Sequence, residues 1–123
     1  MSKPLVIAIS GASGGIYGVE MLRALRGTDC PAHLILSESA GRHLQIEMDL
    51  TVSEVREMAD VVYSNKDMAA SVSSGSFRTR GMVVAPCSIK TLSGIANSYN
   101  DNLITRAADV SLKERRALVL MVR

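Results

Sequence analysis

The chain begins with a short apolar run that breaks abruptly into glycine and other small residues. The run is Leu5–Ser10, and Gly11, Gly14, Gly15 and Gly18 follow it closely. Such a pattern predicts a buried strand, a tight turn and the first turn of a helix. Backbone N–H groups in this turn can approach a phosphate, and the helix dipole favours negative charge there. The sequence therefore predicts a site for a phosphorylated ligand.

Three further apolar runs lie at intervals along the 123 residues, at Ala32–Ser37, Gly81–Pro86 and Ala117–Val122. Nearly continuous apolar runs are typical of parallel strands that are covered on both faces. Helical patterns separate the runs, which predicts right-handed crossovers and an open, doubly wound α/β sheet. The length fits a single domain comprising residues 1–123.

Helix positions are predicted from apolar spacing and from capping signals. Residues Ser39–Glu47 form one helical segment, Thr51 and Glu54 have the spacing of a capping box, and Asp101 is placed to cap the last helix. The residues expected to face inward are Ile16, Val19, Leu22 and Leu25, then Ile89, Leu92, Ile95 and Ala96, then Leu103, Ile104, Ala107, Ala108 and Leu112. The polar stretch Ser71–Arg80 is expected to be a loop at the carboxyl edge of the sheet, near a ligand or in solvent.

Composition excludes several classes of protein. The net charge is +2, the basic residues are scattered, and there are three tyrosines, one phenylalanine and no tryptophan, which argues against a nucleic-acid partner. No apolar run is long enough to span a bilayer, and the early glycines argue against a signal peptide. Two cysteines make no disulfide framework, so a reduced, cytoplasmic setting is predicted.

A second strand-to-helix turn follows the third apolar run, at Pro86–Thr91. Ser88 is placed to cap the helix, and Lys90 could reach an anion. Two phosphate-type turns on neighbouring strands are harder to explain by packing than one. Cys87 is interpreted as a small buried thiol and not as a nucleophile, because no histidine lies near it in sequence.

Other charged residues allow two interpretations each. Glu38 follows the second strand where nicotinamide enzymes bind the ribose diol, but an ordinary first-turn residue of a helix also fits. Arg106, Asp109 and Lys113 could form a catalytic cluster, although their spacing favours a surface ion-pair ladder. No set of His, Cys, Asp and Glu has the spacing of a metal site, so no metal is predicted.

Four segments together resemble one known family. They are GASGGIYGV at Gly11–Val19, SSGSF at Ser73–Phe77, PCSIKTLSGIA at Pro86–Ala96 and RAADVSLKERRALVL at Arg106–Leu120. In this order, and over essentially the whole chain, they resemble the UbiX-type flavin prenyltransferases. The resemblance implies a flavodoxin-like or Rossmann-like three-layer sandwich with a mostly parallel sheet. It also implies the transfer of a dimethylallyl group from dimethylallyl monophosphate to reduced FMN.

The same resemblance implies partners and site residues. The product, prenylated FMN, would serve a UbiD-type decarboxylase, and the family assembles as a homododecamer with sites at subunit interfaces. The implied FMN-binding residues are Gly11, Ala12, Ser13, Ser37, Ser88, Ile89, Lys90, Thr91 and Arg123. The implied catalytic residues are Ser13, Glu47, Arg106 and Lys113. Glu47 with Ser13 is expected to handle a proton, and Arg106 to serve a neighbouring subunit's site.

The family pattern continues beyond Arg123 with a glutamate and, later, a tyrosine and an arginine that bind the substrate phosphate. The chain is therefore expected to lack the C-terminal part of the family domain. Two alternatives stay open: a non-catalytic FMN-binding fragment or subunit, and an NAD(P)-dependent oxidoreductase. The latter would use the first turn and Glu38, but Ser13 interrupts its G-x-G-x-x-G motif and no Tyr-x-x-x-Lys pair is present.

Overall fold

A computed structural model describes residues 2–123 and contains one five-stranded sheet in which all pairings are parallel. The strands are β1 (Leu5–Ile9), β2 (Ala32–Leu36), β3 (Val61–Ser64), β4 (Gly81–Cys87) and β5 (Ala117–Val122). Their order across the sheet is β3-β2-β1-β4-β5. The predicted α/β fold with a parallel sheet is confirmed. β3 was not predicted, because it has only four residues and, at the edge of the sheet, no fully buried side chain.

Helices cover both faces of the sheet. They are α1 (Gly15–Leu25), α2 (Glu38–Met48), α3 (Val52–Arg56), α4 (Ile89–Ala96) and α5 (Leu103–Lys113), with a 3₁₀ turn at Ser71–Ser73. Alternate residues of β1 enter different cores: Ile7 and Ile9 pack with α1, α2 and α3, whereas Val6 and Ala8 pack with α4 and α5. Within residues 2–123, no helix has the length and apolar character needed to cross a membrane.

Some residues expected to face inward are exposed. Ile16 is 45% exposed, Ile89 63% and Leu112 53%, and Ala96 is exposed as well. All four lie in the first or last turn of their helix. The helical spacing correctly predicted the middle of each apolar face but not where the face ends.

Local capping signals were predicted with mixed success. The capping box at the start of α3 is confirmed, since Glu54 N donates to Thr51 Oγ1 and Thr51 N donates to Glu54 Oε1, both at 3.1 Å. The prediction that Asp101 caps α5 is wrong. Asn102 is the cap, and its Oδ1 accepts a hydrogen bond from Thr105 N at 3.0 Å. Asp101 instead accepts from the Asn102 side chain at 3.2 Å.

The polar stretch Ser71–Arg80 does not stay at the carboxyl edge of the sheet, so that prediction is also wrong. It runs alongside α5, where the guanidinium of Arg106 donates to the Ser73 carbonyl at 3.2 Å. At its end, Arg80 N donates to the carbonyl of Pro4, beside the amino end of β1. The path follows from the topology, because a connection between parallel strands must return to the opposite edge of the sheet.

This connection covers a histidine on β2. Nδ1 of His33 is hydrogen-bonded to the hydroxyl of Tyr63 at 2.9 Å, and the ring of Phe77 stacks on the imidazole with centroids 5.7 Å apart. Burial lowers the pKa of His33, and the nearby Asp60 carboxylate opposes this effect. The folded protein therefore favours the neutral imidazole.

A His33→Gln variant tests this account. Because the pKa of His33 is lower in the folded than in the unfolded chain, its contribution to stability is present above the unfolded pKa and is lost as the pH falls through the folded one. The free energy of unfolding of the wild type should therefore decrease more between pH 8 and pH 5 than that of the variant, as urea denaturation would measure. Equal slopes in the two proteins would contradict the prediction.

Candidate functional site

A cavity of about 780 Å³ opens at the carboxyl edge of the sheet. β1, β2 and β4 end beside it, and α2, α4 and α5 begin beside it. Its size and position are those of small-molecule sites in open α/β sheets. The lining residues are Ser10, Gly11, Ser37, Ser39, Asn65, Ser88, Ile89, Lys90, Thr91, Ser93, Gly94, Asn97, Tyr99, Asp101, Asn102, Ile104 and Thr105.

Most of the residues predicted to bind FMN lie at this cavity. Those that line it are Gly11, Ser37, Ser88, Ile89, Lys90 and Thr91. Ala12, Ser13 and Arg123 are not among the lining residues but lie beside it, on the glycine turn and at the end of β5. Arg123 Nη2 donates to Ser13 Oγ at 3.5 Å, and Arg123 N donates to the Cys87 carbonyl at 3.0 Å. The geometry therefore gathers these residues in one region, and their contacts with FMN remain predictions.

Glu47 also reaches this region, although it lies in the last turn of α2. Its Oε1 accepts a hydrogen bond from Gly14 N at 3.3 Å. α2 can cross the start of α1 so closely because Gly11 and Gly15 have no side chains: a Cβ at Gly15 would overlap the side chain of Leu44. The glycine turn thus places a carboxylate next to Ser13.

The other two predicted catalytic residues lie elsewhere. Arg106 is directed towards the connection between β3 and β4, as described above. Lys113 ends α5 and lies about 12 Å along the helix axis from Thr105, which lines the cavity, at about 1.5 Å per residue. The predicted ion-pair ladder is wrong: Arg106, Asp109 and Lys113 form no ion pair with one another. Asp109 accepts instead from the side chain of Asn100 at 3.1 Å.

The N-terminus of α5 is fully hydrogen-bonded within the protein. Asn65 accepts from Leu103 N through its main-chain carbonyl at 2.8 Å and from Ile104 N through its side chain at 2.9 Å. Asn102 accepts from the next two N–H groups of the helix, those of Thr105 and Arg106, each at 3.0 Å. The first four N–H groups of a helix are those left free by helix geometry, so α5 has none to offer a ligand.

The N-terminus of α2 is only partly capped. Ser37 accepts from Ala40 N through its Oγ and from Gly41 N through its carbonyl, both at 3.1 Å. The N–H groups of Glu38 and Ser39 have no hydrogen-bond acceptor in residues 2–123. The side chain of Glu38 is exposed and pairs with Lys66 at 2.9 Å, which also lowers the pKa of Glu38. Glu38 is thus an ordinary first-turn residue of a helix. The main-chain N–H groups of Glu38 and Ser39 remain available to a ligand.

The N-terminus of α4 has the same arrangement. Ser88, the predicted cap, accepts from Thr91 N through its Oγ at 3.2 Å and from Leu92 N through its carbonyl at 2.9 Å. In the described part of the chain, the N–H groups of Ile89 and Lys90 have no acceptor. Both residues line the cavity, and the Lys90 side chain adds a positive charge. The free amides of Ser39, Ile89 and Lys90 therefore belong to residues at one cavity, where two helix N-termini suit an anion.

This arrangement fits FMN. The free amides of α2 and α4 suit a phosphate, and the exposed Ile89 and the ring of Tyr99 offer apolar surface to a flavin. Gly11 keeps the cavity next to the glycine turn open, since a Cβ there would lie 2.7 Å from Ser39 Cβ and would overlap its hydroxyl. Sequence reasoning missed Asn65 and Ser39, whose roles depend on contacts between distant segments.

The cysteines do not add to this chemistry. Cys87 is fully buried, its Sγ lies 3.6 Å from the Ser88 carbonyl, and burial raises the pKa of its thiol. The interpretation of Cys87 as a buried thiol is confirmed. Cys30 and Cys87 are both free, and within residues 2–123 no three His, Cys, Asp or Glu residues are grouped to hold a metal ion.

Comparison with known proteins identifies the family. The family described as Flavoprotein matches residues 1–122. The chain belongs to the Flavoprotein family. It is 59% identical over 122 residues to the flavin prenyltransferase UbiX of Escherichia coli (strain K12), an alignment that covers 98% of this chain and 65% of that protein. It is 52% identical over 119 residues to the UbiX of Thauera aromatica, covering 97% and 61%. The chain thus spans less than two thirds of the length of these curated relatives.

The fold of this chain is also similar to that of a solved structure. The crystal structure of AnUbiX (PadA1) in complex with FMN and dimethylallyl pyrophosphate matches with a TM-score of 0.98 at 48% identity, covering all of this chain and 65% of that one. The predicted resemblance to UbiX-type flavin prenyltransferases and the flavodoxin-like fold are both confirmed.

A Gly11→Ala variant tests the close contact between the glycine turn and α2. The added methyl group should lower the free energy of unfolding by about 1–3 kcal/mol, as overpacking typically does. Because the obstructing atoms belong to the Ser39 side chain, adding Ser39→Gly should recover part of that loss. Urea denaturation of both single variants and the double variant measures the coupling. Strictly additive losses would contradict the contact.

Proposed function

We propose that this chain is a flavoprotein domain of a flavin prenyltransferase, which binds reduced FMN and transfers a dimethylallyl group to it from dimethylallyl monophosphate. One observation carries the proposal. In a chain 59% identical to E. coli UbiX, the N-termini of α2 and α4 present free amides at one cavity, next to Lys90. These groups suit the single phosphate of FMN.

Hydrogen bonding within the protein orients the ligand. α5 has no free N–H groups, and the carboxylate of Asp101 lies on its side of the cavity, so a phosphate is disfavoured there. The phosphate of FMN should therefore lie between Ser39 and Lys90. The ring system would then face the glycine turn, where Ser13 and Glu47 lie.

The residues around the glycine turn suit the proposed transfer. Reduced FMN would supply a nucleophilic nitrogen, N5, for attack on the allylic carbon. The carboxylate of Glu47, which contacts Gly14 N, is placed to accept or return a proton with the hydroxyl of Ser13. The guanidinium of Arg123, beside Ser13, can stabilise the negative charge that develops on the departing phosphate.

Arg106 and Lys113 would act on another subunit's site. Both lie away from the cavity of their own chain, so we propose a homo-oligomer in which each cavity receives cations from a neighbour. The structure of an FMN-dependent UbiX-like decarboxylase from E. coli O157:H7 is dodecameric and matches this chain with a TM-score of 0.95 at 45% identity, over 98% of this chain and 66% of that one. The prenylated flavin would pass to a UbiD-type decarboxylase.

The position of Arg106 and Lys113 also favours a second candidate. If no neighbouring subunit supplies these cations, the cavity has the groups to hold FMN but lacks two of its predicted catalytic residues. The chain would then be a non-catalytic FMN-binding subunit. No observation favours the NAD(P)-dependent alternative, since Glu38 is paired with Lys66 and the family match is to flavoproteins.

Lys90→Met tests the placement of the phosphate. Loss of the ammonium group should weaken FMN binding about tenfold, because a hydrogen bond to a charged group contributes about 1.5–3 kcal/mol. Quenching of flavin fluorescence on titration gives the Kd. Lys3→Met, at the amino edge of the sheet, is the matched control and should bind as the wild type does. Equal affinity in both variants would place the phosphate elsewhere.

Mixed subunits test the shared site. The wild type should convert reduced FMN and dimethylallyl monophosphate to a flavin that mass spectrometry shows to carry one additional five-carbon unit. Glu47→Gln and Lys113→Met should each abolish this product. Co-expressed together, they should recover part of the activity, because some cavities would combine an intact Glu47 with a neighbour's intact Lys113. No product from the wild type, despite FMN binding, would support the non-catalytic candidate.

A further inference from the structure

Ser10 is a buried polar residue at the end of β1, and its hydroxyl makes two hydrogen bonds. It is only 3% exposed, yet it contributes to the lining of the cavity. Its hydroxyl donates to the Pro86 carbonyl at 2.7 Å and accepts from Ser88 N at 2.9 Å. Since the proton is directed to Pro86, a lone pair of the oxygen is left to face Ser88.

These two bonds connect the two turns of the site. Ser10 directly precedes the glycine turn, and its carbonyl accepts from Ala12 N at 3.0 Å within that turn. Ser88 caps α4. One hydroxyl group therefore joins the end of β1 to the start of α4, across 78 residues of sequence.

The bond to Ser88 also decides which amides are left for a ligand. Because Ser88 N is directed to Ser10, it is unavailable at the cavity, and the Ser88 hydroxyl is used by Thr91. The amides that remain at this helix start are those of Ile89 and Lys90. The Ser10 hydroxyl is one of the contacts that hold this helix start next to the glycine turn, together with the hydrogen bond from Ser10 N to the Pro86 carbonyl at 3.3 Å.

We propose that Ser10 is a positioning residue of the flavin site, which fixes the phosphate-binding amides of α4 relative to the glycine turn. The inference rests on the proposed function. Without the hydroxyl, the part-buried Ser88 N loses its acceptor and the Pro86 carbonyl keeps only the hydrogen bond from Ser10 N at 3.3 Å, so the start of α4 shifts to find another acceptor. Such a shift weakens contacts with the phosphate more than contacts with the flavin ring.

Ser10→Thr and Ser10→Val provide the test, because their side chains have nearly the same shape and differ in the hydroxyl group. Binding of FMN and of riboflavin, which lacks the phosphate, is measured by fluorescence quenching, together with the visible spectrum of the bound flavin. Ser10→Val should weaken FMN binding about tenfold, as expected for an unpaired buried group, and riboflavin binding less than about threefold. Ser10→Thr should bind both ligands as the wild type does.

A second buried serine supplies the control. Ser111 is 4% exposed and its hydroxyl donates to the Ala107 carbonyl at 3.0 Å, within α5 and away from the cavity. Ser111→Ala should leave the affinities for both ligands unchanged, whereas Ser10→Ala should behave as Ser10→Val does. The comparison shows whether flavin affinity falls on loss of any buried hydroxyl or specifically on loss of the Ser10 hydroxyl.

Several results would overturn the inference. One is an unchanged ratio of riboflavin to FMN affinity in Ser10→Val; another is a Ser10→Thr variant as weak as Ser10→Val. If Ser10→Val and Ser10→Ala both fail to fold while Ser10→Thr folds, Ser10 supports the fold alone. A wild type that does not bind FMN would remove the proposed function and this inference together, whereas normal binding by wild type and Ser10→Val would remove only the role of Ser10.

Discussion

Every N–H group at the start of a helix needs an acceptor, and this requirement determines which side of the cavity can hold an anion. α5 satisfies it within the protein, through Asn65 and Asn102. α2 and α4 satisfy it only in part, because their capping serines each leave two amides without an acceptor in residues 2–123. The cavity therefore has an electropositive side and a side with no free amides. Even without the charged side chains, this difference favours a phosphate on the side of the cavity formed by α2 and α4.

The side without free amides depends on β3. This strand places Asn65 at the carboxyl edge of the sheet, where it reaches the start of α5. From there the chain returns along α5 to the opposite edge and covers His33 with Phe77 on its way. β3 thus positions Asn65, which satisfies the N-terminus of α5. The connection after β3 supplies Phe77, which packs against the core that contains Val6 and Ala8. β3 and the connection after it contain no recognisable motif. They nevertheless shape the site, together with the two turns after β1 and β4.

The sequence predicted what depends on local pattern. Apolar runs located β1, β2, β4 and β5, and the spacing of Thr51 and Glu54 identified a capping box. The resemblance located six of the seventeen residues that line the cavity, five of them in compact motifs. What it missed depends on contacts between distant segments: Ser10 with Ser88, and Asn65 with α5. The exposed ends of helices were missed for a related reason, since periodicity does not reveal which turns of a helix are covered by other elements.

The side chain of Arg106 is held by a main-chain carbonyl, so this contact does not depend on which residue type supplies the carbonyl. Its Nε donates to the carbonyl of Ser73, an atom that every amino acid at that position would present. The terminal nitrogens of the guanidinium have no partner in residues 2–123 and are aimed by that single bond. A lysine carries its three N–H donors on one nitrogen and could not present a separate, planar pair of donors while it holds the carbonyl. The side chain at position 73 can therefore change without loss of this contact, as long as the backbone keeps the same course beside the arginine.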